Sequence, residues 1–125
     1  MNDVSVFEVT SIDDFANLYD ELVNDNSTYF YNIDFIYDSF KNGKMYSLKS
    51  NEVKDDNIFN KNNPYLVPCF CIINSDNECE ILWVHTRTRF KGCGRLLVKS
   101  LCIKFAKRPI GNSITFWKKC SIDLI

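Results

Sequence analysis

The residues whose types and spacing suit chemistry concentrate between Glu80 and Lys99. An apolar, β-prone run, Ile81-Leu82-Trp83-Val84, ends at His85, the one histidine of the chain. Arg87, Arg89, Lys91 and Arg95 then supply positive charge around Gly92 and Gly94, two of only four glycines in 125 residues. Leu96-Leu97-Val98 follows as the start of an apolar helical stretch. Glycine inside a helix costs about 1 kcal/mol against alanine. That cost is explained where a ligand must come close to the backbone. The unpaired amides at a helix start, with the helix dipole, favour an anion by about 0.3–2 kcal/mol. A strand, a basic loop, two glycines and a helix therefore read as a phosphate cradle.

Other phosphate motifs fit this segment less well. A Walker A loop needs Lys-Ser/Thr after its last glycine, and here Gly94 is followed by Arg95-Leu96. The dinucleotide fingerprint needs three glycines. The order Arg89-x-x-Gly92-x-Gly94, after a strand and before a helix, instead resembles motif A of the GNAT N-acetyltransferase superfamily. Asn112-Ser113-Ile114-Thr115-Phe116-Trp117-Lys118-Lys119-Cys120 is similar to that family's later N-x-x-A-x-x-F-Y-x-K segment. The resemblance covers most of the chain, and residues 78–122 carry its specificity.

The resemblance implies one domain over 1–125 of mixed α+β class: a central, mostly antiparallel sheet flanked by helices, with abbreviated C-terminal strands. It implies acetyl-CoA as cosubstrate and no metal. The cofactor-binding positions would be Val84, Arg89, Phe90, Lys91, Gly92, Cys93, Gly94, Arg95 and Asn112, the last contacting the pantetheine arm or capping the next helix. Lys104, Lys107, Arg108, Lys118 and Lys119 form a basic face suited to the adenosine 3′-phosphate. The catalytic candidates are Glu78 and Glu80, read as sharing one face of the strand before the cradle, and His85. A carboxylate there would take the proton of an acceptor amine, and imidazole is poised near neutral pH for the same task. The competing accounts are a solvated carboxylate beside a turn and a structural histidine at a strand end.

Two departures from the family pattern stand out. Trp117 occupies the place of the tyrosine that protonates the leaving thiolate, and an indole cannot act as that acid. Ser121-Ile122 replaces Gly-Phe, and the sequence ends at Ile125, where the family continues through further strands. The expectation is a minimal member, or one whose sheet is completed by a partner or a second copy of the chain.

The elements that must position these residues can be read from periodicity. Val6–Thr10 is a strand candidate. Ser11 with Asp14 forms a capping-box-like start to a helix over 12–24, with Ile12, Phe15, Leu18, Tyr19, Leu22 and Val23 at helical spacing. Ile33, Ile36, Tyr37 and Phe40 repeat the period, and Asn42-Gly43 ends that second helix. Lys44–Ser50 reads as a strand with Met45 and Ser47 on one face, and 51–63 as a polar loop. Tyr65–Ile73 is a strand in which Pro68 marks an edge or a bulge, and Ser75-Asp76-Asn77 turns into a strand over Cys79–His85. A helix over 92–104 and a short fifth strand within Cys102–Ala106 complete the reading.

Composition narrows the class of protein. The chain is 46% hydrophobic and 25% charged, as in ordinary globular domains. The net charge of −1 hides two opposed parts: residues 1–83 carry 15 acids and 5 bases, and residues 84–125 carry 10 bases and one acid, Asp123. That division argues against a polyanion-coating protein and for a local anion site. It also suggests a cationic acceptor, small molecule or protein amine, near Asp20, Glu21, Asp25, Asp34 and Asp38. No apolar run approaches the 18 residues of a membrane span, and no secretory leader is visible at Met1. Six cysteines without a CxxC pair, several within apolar runs, read as buried thiols in a reducing, cytoplasmic setting. Two other functions compete with the transferase: a degenerate module that binds CoA or a protein partner without catalysis, and a basic nucleic-acid-binding module, against which the sparse aromatic interleaving counts.

Overall fold

The computed structural model describes residues 4–25, 32–51, 65–85, 92–107, 113–120 and 123–124. Among them, ten elements follow in chain order: β1 (Val4–Val9), α1 (Ile12–Val23), α2 (Ile33–Asn42), β2 (Lys44–Ser50), β3 (Leu66–Ile73), β4 (Cys79–Val84), α3 (Cys93–Ser100), β5 (Phe105–Ala106), α4 (Ser113–Lys119) and β6 (Asp123–Leu124). The strands form one open sheet in the order β1-β2-β3-β4-β5-β6. The first four are antiparallel, and β5 and β6 join parallel to β4. This is the mixed, mostly antiparallel α+β sheet that the resemblance implied, with two-residue strands at its C-terminal side.

Helix starts follow the expected local chemistry. Ser11 caps α1 by accepting from the amides of Asp13 (3.1 Å) and Asp14 (3.3 Å). Asn32 caps α2 by accepting from the amide of Asp34 at 2.8 Å. Both helices carry acids in the first turn, as their dipoles favour. Phe15, Leu18, Leu22 and Ile36 are buried against Met45, Leu66, Phe70, Ile72, Ile81 and Trp83, forming the core on one face of the sheet. Each such side chain, fully buried, contributes about 1.5–3 kcal/mol. The periodic stripe is shallower than expected on α2, where Ile33 is 41% and Tyr37 37% exposed. The other face packs Leu48, Val67 and Cys69 against Cys93 and Leu97 of α3. Further along, it packs Cys71 and Cys79 against Val98, Ile103, Ala106 and Trp117.

β3 is an interior strand, and Pro68 lies in a bulge. The pairing register steps from Ser47↔Phe70 to Leu48↔Val67, leaving Pro68 and Cys69 as extra residues. The buried Ser47 hydroxyl donates to the carbonyl of Cys69, with that of Val67 also within reach. Interior β3 tolerates its proline because the bulge removes the need for a ladder amide there.

The third helix is shorter than the sequence pattern over 92–104 suggests. It ends at Ser100, and Cys102 adopts φ +53°. The amide of Ile103 reaches back to the carbonyl of Val98 (3.1 Å) and that of Cys102 to Lys99 (3.2 Å). These two bonds, with Ile103 and Val98 in one apolar cluster, make a Schellman closure whose left-handed position is filled by cysteine in place of glycine. The stretch 51–63 lies outside the described residues, apart from Asn51.

Candidate functional site

α3 begins differently from α1 and α2. Its N-cap is Gly92, at φ +79°, and among the described residues no side chain caps the first turn. Among the described residues, and its chain neighbours aside, no heavy atom lies within 4 Å of where a Cβ on Gly92 would stand. The first-turn amides, at Cys93, Gly94 and Arg95, have no intrahelical acceptor by the geometry of any helix start. The first turn holds no acid, and exposed Arg95 places positive charge at the positive end of the dipole. That placement is unfavourable for the helix alone and favourable once an anion sits there.

Gly94 serves packing. A Cβ there would stand 3.3 Å from Val84 Cγ2 and 3.4 Å from the Phe116 ring. Its absence lets α3 sit close against β4 and α4. Cys93 and Gly94 are buried, whereas Gly92 and Arg95 face outward. Arg89, Phe90, Lys91 and Asn112 lie outside the described residues.

Among the described residues, the strand beside this turn has an open edge. His85 donates its amide to the Pro68 carbonyl at 3.0 Å, so His85, and Trp83 two residues back, turn their amides toward β3. By alternation, Leu82 and Val84 direct their backbone groups to the opposite edge. β5 reaches that edge only at its start, through Cys79↔Ala106 and the 2.9 Å bond from the Lys107 amide to the Cys79 carbonyl. Among the described residues no strand pairs with β4 beyond that point.

The three catalytic candidates are not brought together. Glu78 precedes β4 and locks the turn: its carboxylate accepts from Asn74 Nδ2 at 2.8 Å and its amide donates to Asn74 Oδ1 at 3.0 Å. Glu80 stands at a second bulge, where the register steps between Ile72 and Ile73, and accepts from the Ser39 hydroxyl of α2 at 3.0 Å. Cys79, between the two glutamates, packs with Cys71 and Val98 on the α3 side of the sheet, while Glu80 meets α2 on the other side. At about 3.3 Å per residue, Glu80 lies roughly 16 Å along the chain from His85. Only His85 and Val84 stand at the end of β4 that leads to Gly92.

His85 has a partner that sequence reasoning had placed elsewhere. Its Nδ1 lies 3.8 Å from Oδ2 of Asp25, just past the end of α1, with the two side chains 14% and 6% exposed. In the sequence Asp25 belongs to a diffuse acidic face, and no local pattern ties it to a residue 60 positions on. Trp117 is buried with Ala106 and Val98, its ring edge-on to Phe116.

The cysteines divide into two groups. Cys69, Cys71, Cys79 and Cys93 are buried, Cys102 is exposed and Cys120 is half-buried. A hydrogen bond with Cys93, then burial, holds the Cys69 thiol well above its ordinary range. Cys79 and burial do the same for Cys71. These thiols are small core groups held protonated, the opposite of an activated nucleophile.

Two surface clefts lie away from this end of the sheet. One is bordered by Val9, Tyr37 and Phe40, the other by Ile73, Asn74 and Leu101, and neither includes Val84, His85, Gly92 or Gly94. No group of three or more metal-ligating side chains occurs among the described residues, nor any helix long and apolar enough to cross a membrane. No family model, curated protein or solved structure matches the chain.

Proposed function

We propose that the chain is an acyl-CoA-dependent N-acetyltransferase of the GNAT type, moving an acetyl group from acetyl-CoA to an amine. One observation carries this reading. A helix start with an arginine in its first turn opens on a left-handed glycine, next to a strand edge that no described strand pairs past its first residue. The residues present suit the cosubstrate: no described atom crowds a Cβ position at Gly92, and the amides of Cys93, Gly94 and Arg95 would donate to a pyrophosphate at this helix start. The open edge at Leu82 and Val84 suits the extended amide-bearing pantetheine arm. The Val84 amide would donate to the thioester oxygen as negative charge develops there. Holding amine and thioester together supplies much of the rate. Exposed Asp20, Asp34 and Asp38 favour a cationic acceptor.

The test is thermal unfolding of the purified chain with acetyl-CoA, CoA and ATP. Either CoA species at about 100 times its dissociation constant adds about 2.7 kcal/mol of stability. Equal stabilisation by ATP reduces the reading to a general phosphate site, and no shift with any CoA species overturns it. Thioester turnover with polyamine, lysine and neutral amines then reads the acceptor.

A second reading, a CoA-binding module without catalysis, is favoured by the burial of Trp117 where the family pattern has its tyrosine acid. Binding of acetyl-CoA without turnover of any amine supports it. A salt-sensitive gel shift with nucleic acid that CoA does not displace supports the basic-module alternative over both.

A further inference from the structure

We propose that Asp25 is a positioning residue for His85, and that the pair forms the proton-accepting device of the site. The inference rests on the acetyltransferase reading and deepens it by naming the base and what orients it. His85 follows Val84, whose amide faces the open edge of β4, so the imidazole stands where that edge ends. Its backbone is fixed by the 3.0 Å bond to the Pro68 carbonyl in the β3 bulge. Its ring is turned so that Nδ1 faces Asp25 Oδ2 at 3.8 Å. Ring geometry then puts Nε2 on the opposite side. Both side chains are largely withdrawn from water, where a carboxylate acts on an imidazole far more strongly than at an exposed surface.

The 3.8 Å separation is longer than a hydrogen bond, and such contacts shorten when substrate fills a site. The carboxylate favours a proton on Nδ1, which leaves Nε2 with the lone pair. In the reaction the amine nitrogen bonds to the thioester carbon, the carbon–sulfur bond breaks, and the sulfur departs with the electron pair. The nitrogen gives up its proton to Nε2, and that proton neutralises the thiolate as CoA thiol. Glu78 and Glu80, at the other end of β4 with Asn74 and Ser39 as partners, are not needed for this step.

His85 is the chain's one histidine, so its imidazole nitrogens can be followed without assignment ambiguity. The experiment compares long-range nitrogen–proton NMR spectra of the whole chain and Asp25→Ala at about pH 9, above the ordinary imidazole range. The expected result is a proton on Nδ1 in the parent protein and a shift of the population to Nε2–H in the variant. Where Asp25→Ala does not fold, Asp25→Leu, which keeps the volume, takes its place. An unchanged tautomer in the folded variant overturns the positioning role. In turnover assays His85→Gln lowers kcat by about 100-fold or more. Asp25→Ala lowers kcat by at least about 10-fold with KM for acetyl-CoA unchanged, and Asp25→Glu restores part of the loss. A full kcat in either His85→Gln or Asp25→Ala overturns the proposal. Failure of the parent protein to bind acetyl-CoA removes the transferase reading and the base role with it, while the tautomer result still decides whether Asp25 orients the ring.

Discussion

A Cβ built on Gly94 stands 3.3 Å from Cγ2 of Val84, tighter than ordinary contact, so α3 is set against β4 at a distance that leaves little room for a side chain. Both neighbours of that Cβ, Val84 and Phe116, meet it with side-chain atoms that can yield by a few tenths of an ångström. Gly94→Ala is therefore expected to cost about 1 kcal/mol, and Gly94→Val about 3 kcal/mol, in urea unfolding. Because the displacement moves the helix start relative to the strand edge, acetyl-CoA affinity should fall more in the valine variant than in the alanine variant. Equal affinities in all three would separate the packing from the proposed site.

Gly92 makes a contrasting prediction. Its Cβ would meet no described atom beyond its chain neighbours, but φ +79° is a left-handed conformation. Gly92→Ala should lose about 1–2 kcal/mol through backbone strain alone. Gly92→Asn should lose less, since asparagine tolerates this region. Chemical denaturation of the three proteins checks the order glycine, asparagine, alanine.

The turn after α3 offers a stabilising change. Cys102 holds φ +53° at the position where such closures favour glycine, and its side chain is exposed. Cys102→Gly should raise stability by about 1 kcal/mol, the strain removed exceeding the chain entropy added. A fall in the urea midpoint would show that the thiol makes a compensating contact.

The buried thiols predict an alkaline loss of stability. Cys69 and Cys71 have folded pKa values raised well above the ordinary 9.0, the first chiefly by Cys93 and the second chiefly by Cys79. The folded state thus keeps protons that the unfolded chain releases from about pH 9 upward. Their stabilisation is complete below that value and is lost as pH rises through the window between the unfolded and folded pKa values. The slope is about 1.4 kcal/mol per pH unit for each thiol. Unfolding free energies of the parent and a Cys69→Ala, Cys71→Ala double variant, measured from about pH 8 to about pH 10.5, should differ in slope with the parent falling faster. Parallel curves would remove the thiols from the account.

What the sequence determined by itself is what neighbours along the chain decide. Ser11 caps α1 because its hydroxyl is two and three residues from the amides it accepts. β2 occupies the predicted Lys44–Ser50, because alternation is a property of seven consecutive residues. The glycine pair and its basic surroundings were likewise visible as a strand–turn–helix pattern, and the left-handed Gly92 lies within it.

Tertiary structure alone decided which candidates share a place. Ser39 and Glu80 meet across 41 positions of sequence, and Asp25 and His85 across a similar or greater interval. Neither contact leaves a local trace, because each is set by how a helix packs on a sheet. The bulge at Ile72/Ile73 falls at Glu80, and no alternation rule foresees an inserted residue. Pro68 announced an irregularity, but only the packed sheet showed that it lies inside β3 and presents its carbonyl to His85. Local spacing specifies elements through bonds a few residues long. The site depends on long-range packing, where a half-turn of a helix or one extra residue in a strand changes which side chains meet.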